Sequence, residues 1–129
     1  MRPVLPLGVD ILERKKADGF YRAHRTRLGV LLHPGELAFV TGSRRPVEAF
    51  AQVFSAKEAV FKALGASWMG VSGFRDIQLF PKKGFSFRLK GALKKNHPER
   101  SLLKISFKKT RRHIIATCHP DPKNLCAGT

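Results

Sequence analysis

Acidic residues are scarce in this chain: nine Asp and Glu stand against twenty-five Lys and Arg, for a formal net charge of +16 over 129 residues. A field that positive concentrates polyanions at the surface and speeds their encounter. Nucleic acid, an acidic protein and a phosphate-rich small molecule all fit it, and charge alone does not choose among them, because all three ask for the same Lys and Arg. Cysteine is nearly absent. Cys118 and Cys126 have no C-x-x-C spacing and read as one buried thiol and one tail thiol in a reducing compartment. A metal site drawn from His113, Cys118, His119 and Cys126 matches no common zinc spacing. No apolar run reaches the roughly eighteen residues that span a bilayer. Met1-Arg2-Pro3-Val4-Leu5-Pro6 lacks the charged head and apolar body of a secretion signal, so the expected location is the cytoplasm, with no membrane partner. Internal repeats and low-complexity blocks are missing as well.

What is present is enough for one core. Hydrophobic residues make up 43% of the chain and include ten Phe, and the length suits one ordinary domain. Val4 to Ile11 alternates loosely, which predicts a first strand over Leu7 to Leu12. Glu13 to Arg27 is dense in cations, with Phe20 and Tyr21 as apolar anchors, and predicts a short basic helix or loop. His33-Pro34-Gly35-Glu36 breaks the chain and opens a helix through Leu37, Phe39 and Val40. Thr41 to Arg45 reads as a loop, Pro46 as the start of a long helix over about Val47 to Leu64, and Ala66 to Gly73 as a loop. Asp76 to Pro81, Phe85 to Lys90, Leu102 to Lys108 and His113 to His119 read as strands of an antiparallel meander, with a small helix at Gly91 to Lys95. The expected class is α+β, a single domain over 1–119 with one long central helix packed on an antiparallel sheet, and a flexible tail over 120–129.

Two stretches carry chemistry. Along the long helix Phe50, Phe54, Phe61 and Leu64 recur at helical steps and face a core. Glu58 and Lys62, four residues apart, stack on one side that they share with Ala51 and Ser55, small residues expected to leave room for a ligand. Gly65 supplies the left-handed stop. Taken alone, the Glu58–Lys62 pair is an ordinary exposed helix salt bridge. The second stretch is Gly8-Val9-Asp10-Ile11, where a carboxylate sits in an apolar strand. Asp10 either lies on the strand's wet face or is paired, hydrogen-bonded or metal-bound.

Gly8-Val9-Asp10-Ile11-Leu12-Glu13, followed at the right distance by Ser55-Ala56-Lys57-Glu58-Ala59, Lys62-Ala63-Leu64-Gly65 and Gly73-Phe74-Arg75-Asp76-Ile77, resembles the holo-acyl-carrier-protein synthase family, the short class of 4′-phosphopantetheinyl transferases. The resemblance runs from about Val4 to Ala116. It implies that Asp10 and Glu58 bind Mg²⁺, which also holds the coenzyme A pyrophosphate. It implies transfer of 4′-phosphopantetheine from coenzyme A to a serine of an acidic acyl carrier protein, with release of 3′,5′-ADP. Lys62 would add a second cation at the leaving phosphate, and Glu58, directly or through water, would take the serine proton. The nucleophile belongs to the partner, which fits the lack of a visible serine or cysteine triad. Arg44 and Arg45 correspond to cations lying along the nucleotide's phosphates, and Gly65 and Lys109 fall at further coenzyme-binding positions. The basic Arg14-Lys15-Lys16 and Arg22 to Arg25 stretch becomes a carrier-docking surface, its alternative being a solvated face. A homotrimer with active sites between subunits is implied by the family alone.

Two positions depart from the family pattern. Val53 stands where relatives carry an arginine. The S-x-[ST]-H signature is Ser106-Phe107-Lys108-Lys109, so Lys109 replaces a histidine. These departures keep a catalytically weakened binder of coenzyme A or carrier protein in play. A basic nucleic-acid-binding protein is disfavoured, because the Phe residues fit core positions better than an exposed stacking platform.

Overall fold

A computed structural model describes residues 7–65, 70–97 and 103–121. Strand β1 (Gly8–Glu13) runs directly into helix α1 (Arg14–His24), and a single 3₁₀ turn (Arg25–Arg27) leads to the short α2 (Leu28–Leu31). Helix α3 (Pro34–Thr41) precedes the long α4 (Pro46–Leu64), which is followed by α5 (Gly70–Arg75), β2 (Ile77–Phe80), β3 (Ser86–Leu89), α6 (Gly91–Asn96), β4 (Leu103–Lys109) and β5 (His113–Pro120). Pro46 opens α4, where a missing N–H costs nothing, and Gly65 closes it with φ of 66°.

The α+β expectation holds, and the strands form where alternation placed them. The meander does not. The sheet order is β1-β5-β4, all antiparallel, while β2 and β3 form a separate antiparallel hairpin. β1 therefore pairs with the last strand of the chain, a long-range contact that local pattern does not encode. The 66–73 stretch, read as a loop, is helical from Gly70 onward, and 66–69 lie outside the described residues. The 120–129 tail lies beyond them as well, apart from Pro120, which ends β5, and Asp121.

Helix α4 lies across the inner face of the three-stranded sheet and is buried on most sides. Phe50 and Phe61 fill the core as their spacing predicts. Rings stack outward from there: Phe20 lies 5.6 Å from Phe50, and Phe54 lies 5.4 Å from Phe74. The opposite side of α4 is not open to a ligand. Ala51 and Ser55 are fully buried, Ala51 among Ala17 and Ile114, because β1 and β5 press onto the small residues there.

Gly8 explains how close that approach is. A Cβ at Gly8 would collide with the backbone carbonyl oxygen of Ala59 and the backbone nitrogen of Ala63. Strand and helix meet backbone to backbone, which only glycine allows. Gly8, Asp10 and Leu12 share the inward face of β1, so this crossing delivers Asp10 to α4.

Candidate active site

Asp10 meets Lys62 where β1 crosses the second half of α4. Lys62 Nζ donates to the Val9 carbonyl at 3.0 Å and to Asp10 Oδ1 at 3.2 Å. The Asp10 side chain is 14% exposed and that of Lys62 is 53% exposed, so the carboxylate is sheltered and the ammonium is free to move. Asp10 is thus neither on a wet face nor unpaired. Glu58 lies one helical turn before Lys62, half-buried, and makes no hydrogen bond or ion pair among the described residues. Burial pushes its carboxyl above the ordinary range, and the negative charge of Asp10 pushes it further; Lys62 only partly offsets this. Two carboxylates that repel each other across a sheltered gap suit a hard divalent cation whose remaining sites go to phosphate and water. No cluster of three or more His, Cys, Asp or Glu exists among the described residues. Cys118 is buried on the inner face of β5, whereas His113 and His119 alternate to the other face, so the zinc alternative lacks a common centre; Cys126 lies outside the described residues.

The remaining sequence-derived site residues fall elsewhere. Arg44 and Arg45 are exposed at the start of α4. Glu58 stands thirteen residues after Arg45, roughly 20 Å along the helix axis. Lys109 belongs to that far end: its Nζ lies 3.3 Å from Glu48 Oε2, in the first turn of α4. Arg14 reaches the same carboxylate at 2.6 Å and donates through Nε to the Thr110 carbonyl at 3.0 Å. Hydrogen bonding from Arg14, helped by Lys109, holds Glu48 below the usual carboxylate range despite its burial. One chain therefore carries two groups, Asp10, Glu58, Lys62 and Gly65 at one end of α4, and Arg44, Arg45 and Lys109 at the other. Val53, at the position of the family's arginine, is fully buried in the core. Of the basic segment, Lys15, Lys16, Arg22 and Arg25 are exposed, but Arg14 is tied into the scaffold.

Sequence reasoning passed over Lys57. It is completely buried, 2.9 Å from Glu36 Oε1, which is buried too. Lys57 Nζ also donates to the Phe74 carbonyl at 3.0 Å and sits 4.6 Å above the Phe74 ring. Glu36 accepts from the backbone N–H of His33 at 2.8 Å and of Leu79 at 2.7 Å. Burial drives the Lys57 ammonium below its ordinary value, and Glu36 pulls it back only in part. The pair locks α3, α4, α5 and β2 together immediately beside Glu58. A signal was available: Lys57 lies on the stripe of Phe50, Phe54, Phe61 and Leu64, and a lysine on an apolar stripe must be paired. Asp76, also within a family motif, is scaffold; its Oδ2 faces the Leu93 N–H at 3.5 Å and its carbonyl accepts from Lys90 at 2.7 Å, at the start of α6.

The sequence pattern of the 4′-phosphopantetheinyl transferase superfamily matches residues 6–118. The chain belongs to that superfamily. Its fold matches the crystal structure of holo-[acyl-carrier-protein] synthase from Neisseria meningitidis with a TM-score of 0.74 at 25% identity, over 92% of this chain and 99% of that one. The Plasmodium yoelii acyl carrier protein synthase with ADP bound matches at TM-score 0.61 and 27% identity, over 92% of this chain and 95% of that one. Among curated relatives, the holo-[acyl-carrier-protein] synthase of Moorella thermoacetica is 33% identical over 81 residues, 63% of this chain and 62% of that protein. That of Koribacter versatilis is 32% identical over 82 residues, 63% of this chain and 66% of its own length. The matches thus span a little under two thirds of these relatives.

Proposed function

We propose that this protein is a holo-[acyl-carrier-protein] synthase, which transfers 4′-phosphopantetheine from coenzyme A to a serine of an acyl carrier protein and releases 3′,5′-ADP. The observation that carries this reading is the sheltered Asp10–Lys62 pair with the unpaired Glu58 beside it, its carboxyl pushed above the ordinary range by burial and by Asp10, on the motifs that the superfamily shares. Asp10 and Glu58 would hold Mg²⁺. When bound, the ion supplies positive charge to the coenzyme A pyrophosphate. A serine oxygen–phosphorus bond forms, the phosphoanhydride bond to 3′,5′-ADP breaks, and the serine proton passes to Glu58, whose raised affinity for protons suits a base. Lys62, exposed enough to swing from Asp10, meets the charge on the departing phosphate.

Arg44, Arg45 and Lys109 are assigned to the nucleotide's phosphates. They lie too far along α4 to serve Glu58 of their own chain, and this supports a homotrimer in which a neighbouring copy contributes them. The outer face of β1 gives such an assembly a surface, with Leu7, Val9 and Ile11 exposed at 62%, 41% and 63%. The acidic carrier protein docks on the Lys15, Lys16, Arg22 and Arg25 face of α1 in this reading. The compartment we assign is the cytoplasm, in keeping with a buried, unoxidised Cys118. A second reading, a weakened binder of coenzyme A or carrier protein, is favoured only by Lys109, whose ammonium rests on Glu48. Incubating an apo carrier protein with the chain, coenzyme A and Mg²⁺ tests the proposal: a mass gain of one phosphopantetheine is expected, and an unchanged carrier mass with intact binding turns the reading to the binder.

A further inference from the structure

Where β1 ends, three residues beyond Asp10, lies a cleft of about 500 Å³ lined by Glu13, Arg14, Lys15, Arg111, Arg112 and His113. Its walls come from the β1–α1 junction and the β4–β5 turn, and the turn is held rigidly. Arg14 N–H donates to the Arg112 carbonyl at 2.8 Å and Arg14 Nε to the Thr110 carbonyl at 3.0 Å. Within the turn, Thr110 N–H donates to the His113 carbonyl at 2.9 Å and His113 N–H to Thr110 Oγ1 at 2.9 Å. The charge on Arg14 is taken up by Glu48. That leaves Lys15, Arg111 and Arg112 facing a single wall carboxylate, Glu13, and none of these three cations has a side-chain partner among the described residues. Like charges gathered on a fixed hairpin are unfavourable unless an anion joins them. The cleft is too roomy for one phosphate and within the range of small-ligand sites.

We propose that this cleft binds a compact polyphosphate anion, a separate site from the Asp10–Glu58–Lys62 transfer centre. Two adjacent guanidinium forks and the Lys15 ammonium match successive phosphoryl groups, which arginine takes in bidentate fashion. The proposal needs no catalytic step and stands whether or not the chain is a transferase.

The test is calorimetric titration of inorganic tripolyphosphate into the full chain in magnesium-free buffer near 0.15 M salt, where diffuse surface attraction is screened. Wild type should bind one tripolyphosphate per chain. Arg111→Gln/Arg112→Gln should weaken binding about tenfold or more, the loss expected for two charge-assisted contacts. Lys62→Gln, which removes the exposed ammonium of the transfer centre, should leave the affinity within about twofold. Lys82→Gln/Lys83→Gln, which removes the same charge from the exposed β2–β3 turn, should also change it by less than about twofold. An equal loss in the Lys82/Lys83 variant would reduce the effect to overall charge. Loss in Lys62→Gln, or full binding by the Arg111/Arg112 variant, would move the anion out of this cleft. Circular dichroism of each variant guards against misfolding, and both arginines are exposed enough to be replaced without touching the core.

Discussion

Lys57 and Glu36 face each other at 2.9 Å with no solvent access to either side chain. Removing Lys57 leaves Glu36 buried with its two backbone N–H donors but without a counter-ion. Lys57→Met should therefore destabilise the fold by about 3–5 kcal/mol. Lys57→Met/Glu36→Gln should recover part of that, since glutamine keeps an acceptor for the Leu79 N–H while shedding the charge. Urea denaturation of both variants checks this; a double variant less stable than Lys57→Met would mean that Glu36 contributes through charge rather than through its hydrogen bonds.

Gly8→Ala places a methyl group against the backbone of α4, where no side chain can turn aside. A cost of about 1–3 kcal/mol or more is expected, with β1 forced outward. Since β1 also carries Asp10, transfer activity should fall more steeply than stability. Equal activity per folded molecule, measured at a temperature where the variant is fully folded, would separate the crossing from the site.

Glu58 holds its proton more tightly in the folded chain than in the unfolded one. Its contribution to stability is therefore present below the ordinary carboxylate value and lost as pH rises through the raised folded value. At pH 7 the wild type carries that cost, so Glu58→Gln should raise Tm by roughly 2–4 °C, with the gap closing toward pH 4. Transfer should fall by roughly 10²–10⁴-fold in the same variant. Mg²⁺ should raise the wild-type Tm more than that of the variant. A Glu58→Gln protein that is less stable than wild type at pH 7 overturns the reading of a strained carboxylate.

Glu48 behaves in the opposite sense. Its lowered value means that the stability it contributes is present above the ordinary carboxylate value and lost as pH falls through the folded one. Glu48→Gln should cost roughly 1 kcal/mol at pH 7 and nothing in strong acid. Its partner Lys109 separates two roles: if it also meets the nucleotide, Lys109→Ala should weaken coenzyme A by about 1–3 kcal/mol and dephospho-coenzyme A much less. Equal losses for both ligands would leave Lys109 as a scaffold cation.

On α1, reversing the exposed Lys16 and Arg22 to Glu should raise KM for the carrier protein well above any change in KM for coenzyme A, and added salt should weaken wild-type capture. Reversing Arg14 instead should unfold the β1–α1 junction, because its guanidinium is held by Glu48 and Thr110. Matching KM changes for both substrates would remove α1 as the docking face.

Much of this was legible from residue order. Period-two alternation placed β2 to β5, and Pro46 with Gly65 bracketed α4 almost to the residue. Helix α5 was hidden because Gly70, Ser72 and Gly73 spell a turn locally, while the Lys57 contact to the Phe74 carbonyl secures it from a distance. The split between Glu58 and the Arg44, Arg45 and Lys109 group was equally hidden. Motif order says which residues belong to a chemistry, but only the rise of the helix says how far apart one chain holds them. Lys57 itself was readable, since its position on the Phe stripe left it nowhere to go but inward.

The thiol of Cys118 is sealed between β5 and α4, and burial raises its pKa to about 12. A reagent that needs thiolate at neutral pH finds almost none while the sheet stays seated on the helix. In a chain whose tail cysteine is replaced by serine, the rate of Cys118 alkylation becomes a clock for how often β5 lifts away. Slow reagents would read the free energy of that opening and fast ones its frequency, so the natural sequence already contains a probe of the very interface that seats Asp10 against α4.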